Sequence, residues 1–167
     1  MSGTITTSGR AGLGIALNFG NSNTVTMSGN IVTSGEASKG ILTFVSNNNV
    51  TNVSGNITTS GKWGFGIHHQ SNSNTTTLSA TSNIVTTGEQ AVGIVLTGNS
   101  NTVAISGSVS ATGTNAAALA VTSGDGNSFT LNEGAKITGQ ILAAGVYEAI
   151  PGGTNNKLIF NLGKGAS

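Results

Sequence analysis

Apolar residues in this chain fall at alternate positions in short runs, as in Asn56-Ile57-Thr58-Thr59 and Thr76-Thr77-Leu78, and the runs are cut by Gly and Asn. Such alternation turns one face of a strand to a core and the other to water. A helix would need apolar residues three and four apart, and Gly and Asn disfavour its interior. The pattern predicts three short strands per unit and no amphipathic helix. The unit itself recurs: Asn23, Asn49, Asn74, Asn101 and Asn127 are separated by 26, 25, 27 and 26 residues, each closing an Asn-x-Asn or Asp-x-Asn triplet. Three more columns share that phase. They are Gly9, Gly35, Gly61, Gly88 and Gly113, each after Ser or Thr; Ile5, Ile31, Ile57, Ile84 and Val109; and Gly14-Ile15, Gly40-Ile41, Gly66-Ile67 and Gly93-Ile94, varied to Ala118-Leu119.

One such unit cannot bury its own apolar face, so units must stack, each strand lying beside its counterpart one unit later at about 4.8 Å, parallel and in register. The expected fold is all-β, a parallel β-helix (β-solenoid) making a single domain over residues 1–167. Its six turns fall at about 1–27, 28–53, 54–78, 79–105, 106–131 and an irregular 132–162. At about 4.8 Å per turn the stack is roughly 29 Å tall.

The columns assign the core. The first strand contributes the isoleucine series; the second Ile15/Leu17, Ile41/Thr43, Ile67, Ile94/Leu96 and Leu119/Val121; the third Val25/Met27, Val53, Leu78, Val103/Ile105 and Phe129/Leu131. The Gly column is expected to supply positive φ at one corner, and the Asn columns to occupy a second corner in left-handed backbone with amides laddered along the stack. In the last unit Lys136-Ile137 opens a first strand that Gln140 to Ala144 extends, residues 145–153 loop around the only proline, Pro151, and Asn156 to Phe160 form the third strand.

Composition narrows the function classes. Only 7% of residues are charged, yet 36% are hydrophobic and regularly spaced, which is not the signature of disorder. Six scattered Lys and Arg residues make no basic patch for nucleic acid. No apolar run approaches the ~18 residues of a membrane span, so no direct membrane insertion is expected of this segment. Residues 1–20 lack the charged and apolar blocks of a signal peptide, which places any export signal outside the chain. Without cysteine there is neither disulfide nor thiolate chemistry.

Candidate chemistry is sparse. Arg10, Glu36, Lys62 and Glu89 alternate in sign after the Gly column, as a solvated ladder of ion pairs would. Glu36 and Glu89 as a glycosidase pair would stand about 9–10 Å apart, near the upper limit for inversion, but Lys62 between them would hold both ionised when one must be a protonated acid. His68 and His69 are neighbours on one strand and so face opposite sides, His69 inward and His68 outward; they cannot share a metal without distortion. The Asn triplets offer one carboxylate, Asp125, too few for calcium. Of the Ser-Gly and Thr-Gly pairs only Ser60-Gly61 is followed by Lys, and none opens a helix, so a phosphate loop is not supported. No catalytic residue, metal ligand or cofactor is expected. The one candidate binding surface is an outward aromatic patch of Leu42, Phe44, Trp63, Phe65 and His68, suited to sugar rings or a protein partner.

Units of the form Ser-Gly-Asn-Ile-(Val/Thr)-Thr-Ser-Gly, followed by Gly-Ile and Asn-(Ser/Asn)-Asn-x-Val, resemble the passenger repeats of bacterial autotransporters over about residues 2–131. The tail, with Ile137-Thr-Gly-Gln-Ile-Leu and Asn155-Asn156-Lys-Leu-Ile-Phe, is similar to passenger sequence approaching the translocator barrel. The resemblance implies a right-handed β-helix carried to the surface of a Gram-negative cell, non-catalytic, acting as adhesin or structural stalk. Its partners would be glycans or proteins of host or bacterial surfaces, or further copies of the chain. Two alternatives belong to other classes. A polysaccharide-acting β-helix enzyme would need clustered acidic and basic groups. An ice-binding solenoid would need a regular outward Thr array, but of the third-strand pairs Thr24/Thr26, Val50/Asn52, Thr75/Thr77, Thr102/Ala104 and Ser128/Thr130 only the first and third match.

Overall fold

The computed structural model describes residues 2–142, 153–161 and 163, and these form strands joined by turns, with no helix among them. The first turn of chain carries β1 (Thr4–Thr7), β2 (Leu13–Asn18) and β3 (Thr24–Met27), and the second β4 (Asn30–Thr33), β5 (Lys39–Phe44) and β6 (Val50–Val53). The third carries β7 (Asn56–Thr59), β8 (Phe65–His69) and β9 (Thr75–Leu78); the fourth β10 (Asn83–Thr86), β11 (Val92–Leu96) and β12 (Thr102–Ile105). The fifth carries β13 (Ser108–Ala111), β14 (Ala117–Val121) and β15 (Ser128–Asn132), and the last β16 (Lys136–Thr138), β17 (Gln140–Leu142) and β18 (Lys157–Asn161). Every third strand pairs, giving three parallel six-stranded sheets: A (β1-β4-β7-β10-β13-β16), B (β2-β5-β8-β11-β14-β17) and C (β3-β6-β9-β12-β15-β18). This is the β-solenoid of six turns that the period predicts.

Register follows the sequence columns, with Ile5, Ile31, Ile57, Ile84, Val109 and Ile137 aligned through sheet A. Ile31, Ile57, Ile84 and Val109 are fully buried, as are Ile41, Ile67, Ile94 and Leu119 of sheet B and Met27, Leu78 and Ile105 of sheet C. Polar residues also point inward. Thr7, Thr33, Thr59 and Thr86 hold buried hydroxyls without a hydrogen-bond partner beside the first corner, and Thr51 does so in sheet C.

The corners correct the sequence expectation. Positive φ falls not on the Gly column but two residues later, on Ala11, Ala37, Trp63, Gln90 and Asn115. That backbone turns the amide towards the next turn: Ala11 N–H donates to the Glu36 carbonyl at 2.7 Å, and Trp63 N–H to that of Glu89 at 2.9 Å. The Gly column is needed for close approach instead. A β-carbon on Gly35, Gly61, Gly88 or Gly113 would run into the carbonyl oxygen of the column glycine one turn earlier. At the second corner the left-handed residue is the middle of each triplet, Ser22, Asn48, Ser73, Ser100 and Gly126, rather than the flanking Asn residues.

Those flanking residues form two ladders of opposite direction. Asn23, Asn49, Asn74 and Asn101 each donate their backbone N–H to Oδ1 one turn later, at 2.9 to 3.0 Å, and Asn127 N–H donates to Asn156 Oδ1 at 2.8 Å. In the other column Asn47, Asn72, Asn99 and Asp125 donate N–H to Oδ1 one turn earlier, each at 2.8 Å, ending where Thr154 N–H reaches Asp125 Oδ1. Asn49, Asn74, Asn101 and Asn127 are almost completely buried, so each ladder bond there satisfies an amide that water cannot reach.

The Gly-Ile pair has its own steric origin. A β-carbon on Gly66 would lie 2.5 Å from both the Gly93 carbonyl oxygen and Cγ2 of Ile84. Where the pair becomes Ala118-Leu119, the following strand breaks register, Ala117 facing Gln140 and Leu119 facing Ile141. Gln140–Leu142 thus belongs to sheet B as a second strand, and does not extend the first strand as the sequence suggested. Ala143, Ala144 and the loop about Pro151 as far as residue 152 lie outside the described residues.

Candidate functional site

The expected aromatic patch divides into three settings. Trp63 precedes β8 at the first corner, whereas Phe44 ends β5 at the opposite side of sheet B, a strand's length of roughly 17–20 Å away. Their surroundings differ accordingly.

At the first corner Trp63 is 39% exposed and left-handed. Its indole N–H donates to Gln90 Oε1 of the next turn at 2.6 Å, and Lys62 Nζ lies 4.7 Å from its ring centroid. Lys62 also pairs with Glu89 at 3.0 Å, while Arg10 pairs with Glu36 at 3.7 Å. The charge column is therefore two separate exposed pairs. Lys62 does not bridge both glutamates, contrary to the sequence reading. Each such pair is worth at most about 1 kcal/mol.

Phe44 lies at the second corner against Phe19, the rings edge to face at 6.1 Å, and Val45 follows Phe44 in sequence. Phe19 and Val45 take positive φ, and all three are exposed, Phe19 at 78%. The strands explain the exposure. β2 and β5 run one residue longer than β8, β11 and β14, and the extra residues, Asn18 and Phe44, are register partners. Sequence reasoning found Phe44 but missed Phe19 and Val45; the extra residue between Leu17 or Thr43 and the Asn triplet was the available signal.

Leu42, Phe65 and His68 do come together, on the outer face of sheet B, where Leu42 is the register partner of His68 and Lys39 that of Phe65. The rings of Phe65 and His68 meet edge to face at 5.1 Å, and Lys39 Nζ lies 5.6 Å from the Phe65 centroid. His68 and Leu42 are nevertheless buried, a correction to the exposed patch expected. The face continues upward as a second apolar cluster of Val92, Val95, Ala117 and Ala120, all buried, with Phe65 and Leu142 packed against it. Thr97 Oγ1 donates to the His69 carbonyl at 3.2 Å, so His68 directs a protonated Nε2 at it from 3.2 Å. Nδ1 is left without a partner. Burial, then the charge of Lys39 and the neighbouring His69, lowers the His68 pKa to about 3. Desolvation also lowers Lys39, whose Nζ donates to the Ala37 carbonyl at 3.0 Å. A neutral imidazole without a neighbouring acid is a packing group at neutral pH.

His69 faces the core, as alternation required, and is completely buried. Its Nδ1 is 2.9 Å from Thr43 Oγ1 and its Nε2 2.7 Å from Thr76 Oγ1, so both ring nitrogens are satisfied by turns of the stack. Ser71 Oγ completes the network, donating to the Ser46 carbonyl at 2.8 Å. Burial lowers the His69 pKa to about 4. Among the described residues no three His, Asp or Glu side chains converge as a metal site would require.

The large apolar groups open to solvent along the stack are thus Trp63 at the first corner, Phe19, Phe44 and Val45 beside the Asn ladder at the second, and members of the outward rows of sheets A and C. No protein-family model, curated protein or solved structure matches the chain.

Proposed function

We propose that the chain is a segment of a surface-exposed β-helix of the autotransporter-passenger type, acting by contact, as a stalk or adhesive surface, without catalysis. The observation that supports this most is the Phe19–Phe44 pair with Val45, large apolar groups held out in water on left-handed or strand-end backbone next to exposed Asn side chains. Flat apolar rings flanked by amides fit a pyranose or a protein surface. The stack behind them is stiff, because each turn is fixed to the next by three strands and two amide ladders. The compartment is the surface of a Gram-negative cell. The repeat motif supports it, and so does the manner of folding, since each added turn templates the next without an external energy source.

The test is display of the chain on a Gram-negative cell between a secretion signal and an outer-membrane translocator barrel. Surface exposure is read by antibody labelling of intact cells, and contact by binding to a glycan array and to epithelial monolayers, alongside Phe19→Ser/Phe44→Ser. The reading expects a surface-exposed, folded chain whose binding falls at least tenfold in the double variant. A chain degraded before reaching the surface contradicts the stalk, and equal binding by both forms contradicts the role of the corner.

A further inference from the structure

The two ends of the stack match one another. Among the described residues β1, β2 and β3 have a strand partner on one side only at one end, and β16, β17 and β18 at the other. The last turn leaves core positions open to water: Ile141, Leu158 and Phe160 are 41%, 39% and 63% exposed, and a cavity of about 50 Å³ opens among Val121, Phe129, Leu142 and Leu158. In register Leu158 continues the column of Phe129, Val103, Thr76, Thr51 and Val25, and Phe160 that of Leu131, Ile105, Leu78, Val53 and Met27. Ile137 likewise continues the column that begins at Ile5.

The buried amide ladder is complementary at the two ends as well. Every rung points its N–H at the Oδ1 of the following turn. The series leaves Asn23 Oδ1 without a donor at the start and Asn156 N–H without an acceptor at the end, among the described residues. A second copy set on top in the same orientation supplies both missing partners. It also supplies a strand for each open edge and an apolar face for Leu158 and Phe160.

We propose that the end formed by β16, β17 and β18 is a docking site for the β1, β2 and β3 end of another copy, giving head-to-tail association of the 167-residue chain. A contact between unlike surfaces stacked along one axis does not close on itself, so the products are open linear oligomers rather than a defined dimer. Edge strands with free amides and carbonyls are the usual sites of such addition. The inference concerns the 167-residue chain by itself: in a longer β-helix the flanking turns would occupy these same two edges.

The chain lacks cysteine, so single thiols can be placed at Thr6 and Thr138, both outward and exposed in sheet A. Thr6→Cys and Thr138→Cys are each labelled with pyrene and mixed. Head-to-tail docking sets Thr138 of one copy about one strand spacing, roughly 4.8 Å, from Thr6 of the next. Excimer emission should appear in the mixture and be at least tenfold weaker in either labelled protein alone. Sedimentation of unlabelled chain from micromolar to millimolar concentration should show a rising series of masses, which Phe160→Lys removes. Excimer in a singly labelled sample would mean like ends meet. A monomer at millimolar concentration would mean the edges are covered, and either result overturns the proposal.

Discussion

The imidazole of His69 takes the place that Leu17, Leu96 and Val121 fill in other turns of sheet B, and its Nδ1 lies 2.9 Å from the hydroxyl of Thr43, the register partner one turn earlier. The two residues depart from the apolar column together. A histidine in this stack needs a hydroxyl on either side, and Thr43 and Thr76 provide them.

That arrangement makes stability depend on acid. His69 and His68 have folded pKa values lowered to about 4 and about 3, below the ~6.5 of an unfolded histidine. Above pH 6.5 both states hold the rings neutral and no penalty arises. As the pH falls from 6.5 towards 4 the unfolded chain binds protons that the folded chain refuses, so stability should drop by about 1.4 kcal/mol per pH unit for each histidine. Urea unfolding at intervals from pH 7.5 to 4.5 measures the slope. His69→Leu should remove about half of it, and a flat profile in the parent would contradict the buried neutral rings.

The Asn ladders should differ in weight. Asn74→Ala leaves the buried Asn49 N–H without its acceptor and removes one of the bonds of Asn49 Nδ2, which keeps Ser46, a loss of about 2–4 kcal/mol. Asn99→Ala removes the acceptor of the exposed Asp125 N–H, which water replaces, and should cost no more than about 1 kcal/mol. Chemical denaturation midpoints of the two variants give the comparison, and equal losses would mean the two ladders are equally shielded.

Glycines of one sequence column should also separate. Gly61→Ala drives a methyl into the Gly35 backbone and should destabilise by about 3 kcal/mol or more, since neither corner can move without breaking the stack. Gly9→Ala meets nothing within 4 Å and should be close to neutral. Melting temperatures settle the matter; a tolerated Gly61→Ala would show that the turns are not packed at this spacing.

Ile57→Lys and Thr58→Lys test the facing of sheet A from adjacent positions. Ile57 is completely buried, and a lysine there must lose its hydration or part the turns, at several kcal/mol. Thr58 faces outward and should accept lysine within about 0.5 kcal/mol. Similar loss of thermal stability in both would mean that the inward and outward rows are misassigned.

Periodicity carried most of this fold because a stacked turn repeats its environment, so Ile31, Ile57 and Ile84 report the same site three times. What one turn cannot show is contact between turns. The role of Gly35 and Gly61 came from a carbonyl one turn away, and the left-handed residues Ala37 and Trp63 have side chains that ordinarily avoid that backbone. Their cost is offset by the inter-turn hydrogen bond each amide makes. The buried outer face of sheet B was legible in part, since Val92, Val95, Ala117 and Ala120 are apolar at positions that alternation alone would leave to water. Alternation along β8 alone places His68 in water, whereas its register partners Leu42 and Val95 make it part of an apolar column that is buried.

The stack itself is open to one direct measurement. Thr6 and Thr138 are 138 − 6 = 132 residues apart, yet register links them through Val32, Thr58, Val85 and Ser110 in five steps up one sheet. Spin labels on Thr6→Cys/Thr138→Cys, diluted with unlabelled chain to suppress contacts between molecules, report that distance by double electron–electron resonance. Six in-register turns give a narrow distribution centred at about 24 Å, widened by the label arms. A broad distribution, or a mean beyond about 35 Å, would contradict the parallel in-register stack spaced at about 4.8 Å per turn.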